Sequence, residues 1–78
     1  MNIISTTDVS REGNDCYIHQ TETLVEFCGM YAVIECVKIT GWWEEKDVRV
    51  MHTTDDYNEA VNFYKNLCGG ILEDWKED

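Results

Sequence analysis

Met30-Tyr31-Ala32-Val33-Ile34-Glu35-Cys36-Val37-Lys38-Ile39-Thr40 is the stretch that decides the fold. Val33, Val37 and Ile39 alternate with Ile34, Cys36 and Lys38, and the run is rich in β-branched residues, which suits a strand apolar on much of both faces. A second run, Asp47 to Thr53, alternates Val48 and Val50 with Asp47, Arg49 and Met51, the pattern of a one-sided strand. Joined through Gly41-Trp42-Trp43-Glu44-Glu45-Lys46, the two make a hairpin. Its connection is longer than a two-residue turn and opens on a glycine able to take a positive φ. A helical reading competes just upstream. Thr23 with Glu26 three residues on has the form of a capping box, and Leu24, Phe27, Cys28, Tyr31 and Ile34 fit a helical stripe. Gly29 inside that stripe, and the β-branched residues after it, favour strand over a buried helix at 24–35.

Working outward, an earlier strand pair at about Asn2 to Thr7 and Cys16 to Leu24 is joined through Arg11-Glu12-Gly13-Asn14-Asp15, which carries its own turn chemistry. Downstream lies the clearest element. Tyr57, Ala60, Val61, Tyr64, Leu67 and Cys68 recur at three- and four-residue steps, so they share one helix face. Asp56 caps the first free amides, Glu59 reaches back as the second half of a capping box, and Gly69-Gly70 supply a left-handed exit. The helix is expected at about 56–68. Proline is absent, and no repeat or low-complexity tract marks a linker. The expected architecture is a single α+β domain over 1–78, a curved antiparallel sheet of three or four strands with one C-terminal α-helix packed on it.

Charge narrows the choice of ligand. Sixteen Asp and Glu against six Lys and Arg give a net charge of -10. A phosphate backbone is repelled by such a surface and a basic protein surface is attracted to it, so no direct nucleic-acid contact is expected. Acidic proteins also use charge simply to stay dispersed. The first residues, Met1 to Asp8, lack the basic start and apolar run of a signal peptide, and Met30 to Ile39 is too short and too polar for a membrane span. A cytoplasmic protein with reduced thiols is expected.

Catalytic and metal chemistry find little support. Cys16, Cys28, Cys36 and Cys68 are separated by 12, 8 and 32 residues with no Cys-x-x-Cys knuckle, and His19 and His52 supply no second half of a zinc site. Cys16 near His19 is the nearest approach to a thiol-base pair, and no recognisable motif surrounds it. Phosphate-loop glycine patterns are absent. The expectation is a non-enzyme with no cofactor and no metal.

What stands out is acid placed beside tryptophan. Trp42, Trp43, Glu44 and Glu45 fill the hairpin connection and Asp47 follows, while Glu73-Asp74-Trp75-Lys76-Glu77-Asp78 closes the given sequence. Tryptophan in a loop either plugs the core or meets a partner, and it is the residue type most enriched at binding hot spots. The candidate partner-binding set is Trp42, Trp43, Glu44, Glu45 and Asp47, extended by Asp55, Asp56 and Glu59.

In general form, over the whole chain, this sequence resembles the small acidic proteins that bacteriophages encode against host defence, anti-CRISPR proteins and DNA mimics among them. The resemblance rests on size, charge and the sheet-plus-helix pattern and on no motif, so it transfers no functional residue. It implies an inhibitor, acting in the host bacterial cytoplasm, that occupies the basic nucleic-acid-binding surface of a nuclease or CRISPR-type effector. The alternative is a small accessory subunit or homodimeric structural protein whose acidic face is merely solvated.

Overall fold

A computed structural model describes the backbone of residues 1–75 and the side chains of residues 1–70. Four strands, β1 (Asn2–Gly13), β2 (Cys16–Phe27), β3 (Met30–Gly41) and β4 (Glu44–Thr54), precede one helix, α1 (Tyr57–Trp75). The strands pair in chain order as an antiparallel meander, so β1 and β4 are the edges. Strands of 11 or 12 residues at about 3.3 Å per residue account for a molecule 42 Å long and only 15 Å thin.

The α+β expectation of three or four strands with one C-terminal helix packed on the sheet is corrected in its extents and its layering. Pairing carries the ladders to the turns: Arg11 and Glu12 lie opposite Ile18 and Tyr17, and Glu44 opposite Thr40. The connections therefore shrink to Asn14-Asp15 and Trp42-Trp43. The helix does not end at 68, because Gly69 and Gly70 keep negative φ and continue it to Trp75. Its contacts fall on one end of one face; on the opposite face Val25 and Ala32 are buried at that same end while much of the remainder is exposed, so the second layer is partial.

At 24–35 the strand reading holds. Cys28 (φ 49) and Gly29 (φ 76) take the two positive φ values of a type I′ turn between Phe27 and Met30, the twist-matched connection of a tight hairpin. Leu24 and Val33, opposite one another on β2 and β3, form the core with Ala60, Tyr64 and Cys68; Tyr31, Met51, Val61, Phe63 and Leu67 pack around them. Bulges at Ile4 and Met51 shift the register on both edge strands. The second bulge turns Met51 and His52 together towards the helix, which strict alternation forbids. His52 stacks on Phe63 at 4.6 Å and bonds Glu59 at 2.7 Å.

Asp56 caps the helix, its Oδ1 accepting the amides of Asn58 (2.9 Å) and Glu59 (3.3 Å). The expected capping box is half formed, since the Glu59 carboxylate is held by His52 and the amide of Asp56 donates to Thr54 Oγ1. Tyr64 fastens the helix to β1, with its hydroxyl 2.7 Å from Thr7 Oγ1 and accepting from Ser5 Oγ at 3.3 Å. Among the described residues no helix is long and apolar enough to cross a membrane.

Candidate functional site

A meander puts alternate connections at the same end of its sheet. The β1–β2 turn and the β3–β4 connection share one end, and the β2–β3 turn and the helix start share the other. Gly41 locks the first two together, because a Cβ there would sit 2.7 Å from the Asp15 carbonyl oxygen and 3.2 Å from Cys16 Cβ. This glycine serves close approach; its φ is not positive.

At that tip Trp42 is 86% exposed. Its ring meets Trp43 edge-on at 5.0 Å, Trp43 Nε1 donates to Glu45 Oε1 at 3.1 Å, and the Gly41 amide donates to the Trp43 carbonyl at 2.8 Å. The connection is thus ordered by its own bonds while one large apolar ring stays in solvent. Desolvating such a ring without first immobilising it favours binding. At this end of the sheet lie Asp15, Glu12 on edge strand β1, and Glu44 and Glu45 on the opposite edge strand β4, with the cations Arg11, Lys38 and Lys46 among them. Asp47 lies two residues further in, paired with Arg49 at 3.4 Å, and Glu44 is 3.8 Å from Lys38.

The structure places Trp42, Trp43, Glu44, Glu45 and Asp47 at one end of the sheet, with Glu44 on its open face and Glu45 and Asp47 on its helix face. It does not bring Asp55, Asp56 and Glu59 to them. The whole length of β4, about 36 Å, intervenes, and Asp56 and Glu59 are engaged in the cap and with His52. In their place stand Glu12, Asp15 and the exposed Tyr17, which reading along the sequence missed. The signal that finds them is topological: once four strands are taken as a meander, the first and third connections must be neighbours. The acidic stretch 73–78 and the Trp75 side chain lie outside the described residues.

Strand alternation separates Cys16 from His19, setting the first on the helix side and the second on the open side. His19 instead has Ser10 Oγ 2.8 Å from Nδ1 and Asp8 Oδ1 3.5 Å from Nε2. These are triad residue types, but all three are exposed on an open sheet, where water screens the polarisation that a buried triad supplies. Among the described residues no group of three or more His, Cys, Asp or Glu is placed to hold a metal ion.

Beneath the helix side lies a second acidic feature of a different kind. Glu22 is 1% exposed and sits directly opposite Glu35; Gln20 Nε2 donates to both, at 2.8 and 2.7 Å, while Glu22 Oε1 has no partner. Burial pushes the Glu22 carboxyl up to about 7; the bond from Gln20 opposes this, and the hydrogen bond and charge of Glu35 add to it. Comparison with protein-family models, curated proteins and solved structures finds no match to this chain.

Proposed function

We propose that this protein is a non-catalytic binding module that inhibits by occupying a basic surface of another protein. The partner class that fits is the nucleic-acid-binding surface of a bacterial nuclease or effector complex. One observation carries the reading: a fully presented tryptophan, Trp42, rimmed by carboxylates that two separate connections deliver to one end of the sheet. The carboxylates attract and orient a cationic surface in place of phosphates, and the ring provides apolar area that slows release. A second reading, a structural subunit that docks apolar surface, draws support from Ile3, Phe27, Val48 and Val50 exposed on the open sheet face.

Affinity capture from a bacterial lysate, comparing the natural protein with Glu44→Lys/Glu45→Lys and with Trp42→Ala, tests the proposal. The expected result is a basic nucleic-acid-binding partner that is displaced by added DNA and lost with either variant. Partners retained equally by all three proteins favour the apolar face.

A further inference from the structure

We propose that two copies of this chain pair antiparallel along the outer edge of β4, about a two-fold axis at Val48, joining two four-stranded sheets into one of eight strands. The inference concerns the β4 edge, which shares Glu44, Glu45 and Asp47 with the candidate patch but leaves Trp42 and Trp43 outside the pairing, and it does not rest on the reading of the tryptophans.

β4 is an edge strand, and every residue from 44 to 50 is exposed. Edge strands are ordinarily protected by a covering element, a proline, a bulge or a charge turned to the edge. Among the described side chains, the helix contacts on β4 lie beyond its bulge, where His52 meets Phe63 and Glu59. Proline is absent, and the segment before the bulge keeps an unbroken ladder with β3. A regular seven-residue edge is left with its outward backbone groups facing solvent, guarded by the charges of Glu44, Glu45, Lys46, Asp47 and Arg49 alone, so it pairs only in a register that sets unlike charges together.

Charge selects the register. A two-fold axis perpendicular to the sheet keeps each face continuous, so residues placed opposite one another must lie on the same face. With the axis at Val48, Asp47 faces the partner's Arg49 and Arg49 faces the partner's Asp47, two unlike-charge pairs related by symmetry. Moving the axis to Asp47 sets that carboxylate against itself, and moving it to Arg49 does the same with the guanidinium. Both side chains are exposed and now touch only within the strand, at 3.4 Å, so they are free to re-pair. On the open face Val48 (56% exposed) meets its own counterpart and Val50 (60% exposed) meets the stem of the partner's Lys46, continuing across the axis an apolar band that includes Ile34 and Cys36.

A seven-residue edge buries less than a standard interface of about 1,200–2,000 Å², so the association is weak and concentration-dependent. Six residues at about 3.4 Å each separate Val48 from Trp42, which places the two tips at opposite ends, roughly 40 Å apart. Pairing leaves both Trp42 rings free and engages Asp47.

Sedimentation velocity over a concentration series at low salt tests the register through three variants. Arg49→Asp sets carboxylate against carboxylate, and Asp47→Arg sets guanidinium against guanidinium. Each is expected to weaken dimerisation at least about tenfold, and the double exchange, which restores unlike pairs, to return it to within about threefold. Overall repulsion makes the opposite demand, because Asp47→Arg brings the net charge of -10 two charges closer to zero and would tighten association. Both positions are exposed, and because Arg49 lies directly opposite Glu35, thermal melts of each variant separate a loss of folding from a loss of pairing. The proposal is overturned if the natural protein stays monomeric throughout the series, or if Asp47→Arg leaves the association unchanged or stronger, which would place the contact on another surface.

Discussion

Replacing Glu22 with glutamine is expected to stabilise the protein at pH 8 and to change little at pH 5. The carboxyl is raised from its ordinary 4.5 to about 7 chiefly by burial, with Gln20 opposing and Glu35 adding to the effect. Below pH 4.5 the group is neutral in both folded and unfolded chains, and its burial costs no ionisation. Between 4.5 and 7 the unfolded chain releases a proton that the folded one retains, so stability falls as pH rises. Above 7 both states are ionised and the folded state carries the whole penalty. At about 1.4 kcal/mol per pH unit between the two values, the loss is on the order of 3 to 4 kcal/mol. That is a large part of the roughly 5 kcal/mol available to a domain of this size. Urea denaturation followed by tryptophan fluorescence, from pH 5 to 8.5, measures it. General repulsion in a chain of net charge -10 also lowers stability as pH rises, but it acts almost equally on Glu22→Gln. The curves of the two proteins should therefore diverge through pH 5–7; parallel curves would refute the account of the Glu22–Glu35 pair.

Three further substitutions probe the fold. Gly70→Ala adds a methyl group that meets nothing within 4 Å in the interior of an exposed helix face, and should stabilise by about 0.5–1 kcal/mol in thermal melts; destabilisation would restore a left-handed helix exit at this position. Cys28→Asn relieves a thiol-bearing residue at φ 49 and creates the Asn-Gly pair that type I′ turns favour, raising stability by about 1 kcal/mol. An unchanged melting midpoint would speak against that turn. Tyr64→Phe removes the hydroxyl that ties α1 to Ser5 and Thr7 and should cost about 1 kcal/mol, with faster amide exchange in β1. Exchange unaffected in β1 would mean that the tie does not hold that edge.

The legible parts of this fold are those where local pattern and tertiary context agree. The helix is readable because Ala60, Tyr64 and Cys68 repeat at its period and do form its buried line. Phe63 was not, since its packing partner His52 faces the helix only because the bulge at Met51 reverses the strand's alternation. Gly69-Gly70 read as a stop on conformational preference alone, yet the ladder of helix bonds runs through them. The patch around Trp42 was visible as composition. Its extension is Glu12 and Asp15 and not Asp55, Asp56 and Glu59, because the length of β4 carries those three to the far end while the meander imposes a shared end on Asp15 and Glu44. Glu22 gave no signal at all: nothing in Gln20-Thr21-Glu22-Thr23 distinguishes a carboxylate bound for solvent from one bound for the interior.

The most direct measurement of the central claim is the salt dependence of association between the immobilised protein and its captured basic partner, with and without Glu44→Lys/Glu45→Lys. Steering by exposed charges is screened over about 8–10 Å at physiological ionic strength. The account predicts that the double reversal slows association strongly at low salt and little at high salt, while Trp42→Ala speeds dissociation at either. An association rate that the reversal leaves unchanged at low salt would contradict it and reduce the acidic tip to a solvated surface.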